Sequence, residues 1–135
     1  MSNLNLSEAF AQYGAKLVNP QWAVSDITED GVLVMSCWFH YIKTFDGIWR
    51  YVDTLSRWNG NTAGNNLCRQ HVEDAFKNNR PVRIVIARTE ETAAVDSGQD
   101  ASKVKKEFYT KPEMIGRITN FDGDKFTIDF KRSRD

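Results

Sequence analysis

Residues 32–66 read VLVMSCWFHYIKTFDGIWRYVDTLSRWNGNTAGNN, and they hold the reading of the fold. From Val32 to about Tyr41 the side chains alternate with period two, the repeat of a β-strand. Leu33, Met35, Cys37, Phe39 and Tyr41 share one face, which reads as core. Val34, Ser36, Trp38 and His40 share the other, whose mixture of apolar and polar groups suits a partly covered face or a pocket wall. Phe45-Asp46-Gly47 then carries a turn signal, and IWRYVDTL follows as a third strand with Trp49, Tyr51, Asp53 and Leu55 on one side. Arg57 to Asn66 has no period and is rich in Asn and Gly, so it reads as a loop of about ten residues, longer than most connections in compact domains. Seven of the chain's 16 aromatic residues lie between Trp38 and Trp58.

Upstream, Leu6, Phe10 and Tyr13 follow the i, i+4, i+7 spacing of an apolar helical face, which predicts a helix over Leu6 to Tyr13 ended by Gly14. Asn19-Pro20 breaks the chain before a predicted strand at Gln21 to Ile27, and Glu29-Asp30-Gly31 marks a hairpin into the strand at Val32. Downstream, Ala63 or Gly64 through Lys77 forms the most regular helix pattern, with Leu67, His71, Val72, Ala75 and Phe76 on one stripe and Asn61 or Thr62 as cap. Val82 to Ala87 (VRIVIA) is a strand for the middle of a sheet. Thr89 to Ser102 is small, polar and acidic and reads as a mobile surface loop with at most a helical turn, and KVKKEFY as a short amphipathic turn. EMIGRITNFDGDKFTIDFKR is a hairpin about Asp122-Gly123. The order α, three strands, α, three strands predicts an α+β domain spanning 1–135: a mixed, largely antiparallel curved sheet or partly closed β-barrel of about six strands, with two main helices packed on it.

The bulk chemistry narrows the function classes. Among 135 residues, 18 Lys and Arg balance 18 Asp and Glu, so no strong global field draws the chain to nucleic acid or an acidic membrane. The charge is nevertheless segregated, with residues 43–88 summing to plus four and 89–102 to minus four. No apolar run reaches the roughly 18 residues of a membrane span and the start lacks a signal-peptide pattern, so a cytoplasmic location is expected. Two cysteines, Cys37 and Cys68, are too few for a disulfide scaffold and are expected as free thiols.

Aromatic rings offer flat faces on which bases stack, while Asn and Arg make directional edge contacts. Trp38, His40, Trp49, Tyr51, Arg57, Trp58, Asn59 and Asn65 have that composition and form the candidate ligand site; the same rings could simply fill a β core. Cys37-Trp-Phe-His40 and Cys68-Arg-Gln-His71 together use every Cys and His in the chain, the number a tetrahedral zinc site needs. On a regular strand, however, Cys37 and His40 point to opposite sides, so the quartet stands only as an alternative. A Cys nucleophile with His40 or His71 as base, or Asp53 paired with Glu73 or Asp74 as acid and base, lacks any supporting motif. The phosphate-binding ending is absent from GNTAGNN. Lys103, Lys105, Lys106, Lys131, Arg132 and Arg134 read as a solvated basic face.

Taken together, QYGAKLVNPQWAVSDI, VLVMSCW, AGNN with its helix and RIVIA resemble small uncharacterised proteins carried on integron gene cassettes and other mobile elements. The element order resembles, more distantly, the PUA-like barrels, which include readers of modified bases. That resemblance implies a curved barrel with an aromatic pocket near Trp38 and the Arg57 to Asn66 loop. The expected function is therefore a non-enzymatic module binding a small planar ligand, a nucleobase or nucleic acid, with no cofactor and no membrane partner. The alternative is a homodimer or larger homo-oligomer, an interaction module of a mobile gene cassette using the same aromatics as its interface. A zinc-stabilised domain or a hydrolase comes after both.

Overall fold

A computed structural model of the chain describes residues 4–19, 23–58, 62–98 and 104–133. Helix α1, Leu6–Ala11, begins at a capping box: the Asn5 side chain accepts from the Glu8 N–H at 2.8 Å and the Glu8 carboxylate accepts from the Asn5 N–H at 2.9 Å. It ends two residues before Tyr13, whose hydroxyl donates to the Ile84 carbonyl at 2.9 Å and accepts from the Lys111 N–H at 2.8 Å. Tyr13 is thus a tie between distant strands and not part of the helix face.

Strand β1, Ser25–Ile27, pairs antiparallel with β2, Leu33–Trp38. The expected start of β1 at Gln21 and Trp22 lies outside the described residues. β2 stops three residues before the expected Tyr41, because Phe39–Tyr41 forms a 3₁₀ turn. β3, Ile42–Phe45, and β4, Ile48–Thr54, form a hairpin through Asp46 (φ 50°) and Gly47 (φ 76°), two successive left-handed residues of the kind a two-residue hairpin loop requires. A second 3₁₀ turn, Leu55–Trp58, leads to α2, Thr62–Lys77. β5, Val82–Arg88, and the short α3, Thr92–Asp96, follow; then come β6, Glu107–Thr110, β7, Met114–Phe121, and β8, Lys125–Arg132.

The eight strands make one sheet in the order β1-β2-β5-β7-β8-β4-β3, with β6 also paired to β5. Only β2 and β5 run parallel; the other pairs are antiparallel. β5 is central, as its apolar run Ile84–Ala87 requires, and it forks: Val82 registers with Gly116 of β7, whereas Val85–Arg88 pairs with β6. The sheet is strongly curled, since a three-residue turn carries the chain from β2, near one end of the strand order, to β3 at the other. It does not close into a barrel, because β1 and β3 end the path without pairing. The expected mixed, largely antiparallel sheet is what forms, while the alternative of a partly closed barrel, the count of about six strands and the second main helix are corrected here. Among the described residues α2 is the single long helix; α1 has six residues and α3 five.

Leu33, Met35 and Cys37 of β2, Ile84 of β5 and Phe126, Ile128 and Phe130 of β8 bury their side chains with α2 in the main core. The opposite face of the parallel pair, Val34 and Val85, packs on Ala9 and Phe10 of α1 in a second cluster. Phe10 is fully buried, and burial of such a side chain contributes about 1.5–3 kcal/mol. α2 lies on the sheet by Gly64, Asn65, Cys68, Val72 and Ala75. This stripe is rotated from the expected one: Phe76 is 40% exposed, edge-on to Phe121 with ring centroids 6.3 Å apart. Small residues at Gly64, Cys68 and Ala75 let the helix axis approach, so size overrides the larger apolar side chains in choosing the contact face. Among the described residues no helix is long and apolar enough to cross a membrane.

Candidate functional site

Because β2 and β5 are parallel, with Trp38 opposite Ala87, their carboxyl ends and the segments that follow them arrive on the same side. The Phe39–Tyr41 turn follows β2, and α3 follows β5. β4 brings the Leu55–Trp58 turn to the same place. Between them lies a cavity of about 70 Å³, counted as space open to the centre of a water molecule. Trp38 and Met35 of β2, Tyr51 and Asp53 of β4, and Arg57 and Trp58 of the second turn line one part of it. Val95 and Gly98 at α3, with Ser36, Lys106 and Phe108 and the apolar Leu6, Val24 and Ala87, line the rest.

Asp53, 7% exposed, is the polar centre. Its Oδ1 accepts from the Thr54 N–H and from Arg57 Nε, both at 2.8 Å. Its Oδ2 accepts from the Tyr51 hydroxyl at 2.9 Å and from Arg57 Nη2 at 2.8 Å. A carboxylate has about four acceptor positions, and here all four are occupied. Arg57 Nη1 donates to the Val95 carbonyl at 2.7 Å, and the guanidinium carbon sits 5.1 Å from the centre of the Tyr41 ring. Burial, the largest single influence, would lower the Arg57 pKa, yet the Asp53 hydrogen bonds together with the charges of Asp53, Tyr51 and Tyr41 raise it overall and hold the guanidinium charged. Burial, reinforced by the Asp53 charge, raises the Tyr51 phenol well above its ordinary value.

Beside the cavity the Tyr41 hydroxyl donates to Asp96 Oδ1 at 2.5 Å, and His40 Nε2 lies 3.2 Å from the same oxygen. The Tyr41 hydrogen bond, with help from His40, lowers the Asp96 carboxyl. Burial and the Asp96 hydrogen bond raise Tyr41. These contacts seat α3 against the turn after β2. Gly98 sits under the second turn: its φ is +80°, and a Cβ there would stand 2.1 Å from the Arg57 carbonyl oxygen.

Of the residues proposed from sequence, Trp38, Tyr51, Arg57 and Trp58 meet at the cavity. His40 flanks it, its ring 6.1 Å from that of Trp38. Trp49 does not reach it and instead lies under Lys111 Nζ at 5.4 Å. Asn65 is a structural tie, its amide donating to the Leu55 carbonyl at 2.7 Å from a buried position on α2. Asn59 lies outside the described residues.

The Cys37, His40, Cys68, His71 quartet does not assemble: His40 engages Asp96, and His71 Nδ1 lies 2.8 Å from Ser25 Oγ. Among the described residues no three His, Cys, Asp or Glu side chains form a group able to hold a metal ion. Burial raises the Cys37 thiol well above its ordinary value and pushes Cys68 up to about 12, so both are protonated at neutral pH and neither is an activated nucleophile. Asp53 is locked to Arg57, while Asp74 near the end of α2 binds Asn78 and Arg80, so that acid and base pair does not form either.

Val95, Asp96 and Gly98 were hidden in a stretch that reads as surface loop. The available signal was Val95 as the one large apolar residue within an acidic, polar run, with Ser97-Gly98 as a helix stop. No protein-family model matches the chain, and no curated protein or solved structure does.

Proposed function

We propose that the chain is a binding module that takes a small planar ligand, with a nucleobase the best-fitting class, at the joined ends of β2, β5 and β4. One observation carries this reading. Trp38, Tyr51 and Trp58 come from three separate elements and converge with Arg57 on one cavity. Rings supply a stacking surface worth about 1–3 kcal/mol per base, and a guanidinium supplies an edge contact. The protonated thiols and the fully bonded Asp53 leave no activated nucleophile or free base there, which favours binding over hydrolysis.

Titration of tryptophan fluorescence with nucleosides, single-stranded DNA and duplex tests the reading. Saturable quenching that Trp58→Ala reduces about tenfold in affinity, the loss of one stacked ring, is expected. Absence of quenching with every one of these at low salt would overturn it.

The homo-oligomer reading uses the same rings outside. Tyr51 is 1% exposed and Trp38, Trp49 and Trp58 are half-buried, whereas among the described residues the exposed large apolar ones are Val18, Phe39, Phe45 and Phe76. That distribution favours the ligand. Sedimentation across a concentration series separates the two readings, a dimer that Trp58→Ala dissociates being the outcome that would favour the interface.

A further inference from the structure

Resting on that reading, we infer that the site selects a ring edge that presents hydrogen-bond acceptors, so that among bases it prefers the O6/N7 edge of a 6-oxopurine to the amino edge of adenine or cytosine. The cavity is about 70 Å³, about half the roughly 150 Å³ of an engineered protein cavity that holds benzene. The enclosed space takes the edge of a ring whose face is left to the surrounding aromatic side chains, so edge chemistry decides among bases.

The lining side chains are short of acceptors. Asp53 has four donors on its two oxygens and none of its acceptor positions left. The Val95 carbonyl already takes Arg57 Nη1. Trp38 and Trp58 carry indole N–H groups, which only donate, and Lys106 is a cation that only donates. Among the described lining side chains, the neutral hydroxyl oxygens of Ser36 and Tyr51 and the weakly accepting Met35 thioether remain as acceptors.

Donors are in surplus. A guanidinium has five N–H groups, and the bonds to Asp53 and Val95 use three: Nε, one on Nη1 and one on Nη2. One hydrogen on each terminal nitrogen is left, and these two are assigned here to a pair of acceptors such as O6 and N7. An amino edge brought here meets donors with donors and leaves its own N–H groups unpaired.

Calorimetric titration of the wild-type chain with guanosine, inosine, 7-deazaguanosine, adenosine and cytidine tests this without altering the fold. Guanosine and inosine, which share O6 and N7, are expected to bind alike, and adenosine and cytidine roughly tenfold or more weaker. 7-Deazaguanosine, lacking N7, falls between. Arg57→Lys, which keeps the charge beside Asp53 but loses the fork, is expected to bring guanosine down to the level of adenosine, in a variant whose melting curve remains cooperative. Adenosine or cytidine binding as tightly as guanosine overturns the edge preference while leaving the binding module standing. No heat with any nucleoside overturns both.

Discussion

Asp53 shows how one side chain decides what the site can be. With Asp53 at 6% and Arg57 at 14% side-chain exposure, the pair is largely removed from water. Removing one partner of a buried pair leaves the other charge uncompensated, at a cost of about 3–5 kcal/mol. Asp53→Asn should therefore lower stability in urea denaturation by about 3 kcal/mol, since it places an NH₂ against the donors of Arg57 or Tyr51. A loss below about 1 kcal/mol would mean that the ion pair is not held as described. Tyr51→Phe removes one donor to the Asp53 carboxylate while keeping the ion pair, and should cost less, about 1.5–2 kcal/mol. The sharing of a face by Tyr51 and Asp53 is legible in the sequence, because period two holds through β4. The closure of Arg57 onto Asp53 is not, because it depends on the 3₁₀ turn that ends the strand, and Leu55-Ser56-Arg57-Trp58 carries no Gly or Pro to announce one.

The same blindness acts on whole elements. Val32 to Tyr41 alternates well enough to read as a single strand, yet the turn at Phe39–Tyr41 brings the Tyr41 ring to 6.4 Å from that of Tyr51 and leaves Phe39 43% exposed. α3 is harder still, since five residues cannot sustain a helix by propensity. It is held by Arg57 on Val95, by Tyr41 and His40 on Asp96, and by the close approach at Gly98. Gly98→Ala meets both a left-handed backbone, which costs a side chain about 1–2 kcal/mol, and the Arg57 carbonyl. The expected outcome is faster amide hydrogen exchange through Thr92–Asp96, with β7 and β8 unaffected. Unchanged protection across α3 would show that the helix is seated some other way. Gly116→Ala is the contrasting case within the sheet. Its Cβ would stand 2.5 Å from Phe130 Cδ1, a fully buried ring in the hairpin core. Overpacking there should lower the urea midpoint by an amount equal to about 1–3 kcal/mol, without loosening α3 selectively.

At the scale of the molecule, the turns at Gly31, Gly47 and Asp122-Gly123 were readable, but the short strands β3 and β6 and the path of the sheet were not. Whether a curled sheet closes depends on whether its edge strands meet, and β1 with three residues and β3 with four are too short for their sequence to say. The join between α2 and the β1 edge has a measurable consequence in the pH dependence of stability. His71 of α2 lies with Nδ1 2.8 Å from Ser25 Oγ, and Ser25 in turn bonds Cys68. Burial lowers the His71 pKa below its ordinary 6.5, although Asp26 and Asp74 act in the opposite direction. Between the lowered folded value and 6.5 the unfolded chain binds more protons than the folded one, so stability falls as pH falls through that window and stops falling once both states are protonated. The carboxylates act at lower pH. Asp96 and Asp129, held down chiefly by the Tyr41 and Arg50 hydrogen bonds respectively, contribute stability that is present above their ordinary 3.8 and is lost as pH falls through their still lower folded values. Urea midpoints measured from pH 8 down to pH 3 should therefore decline in two separate steps. His71→Gln should abolish the upper step and spare the lower. An upper step that survives in that variant would assign it to a group other than His71 and remove the α2–β1 contact as its source.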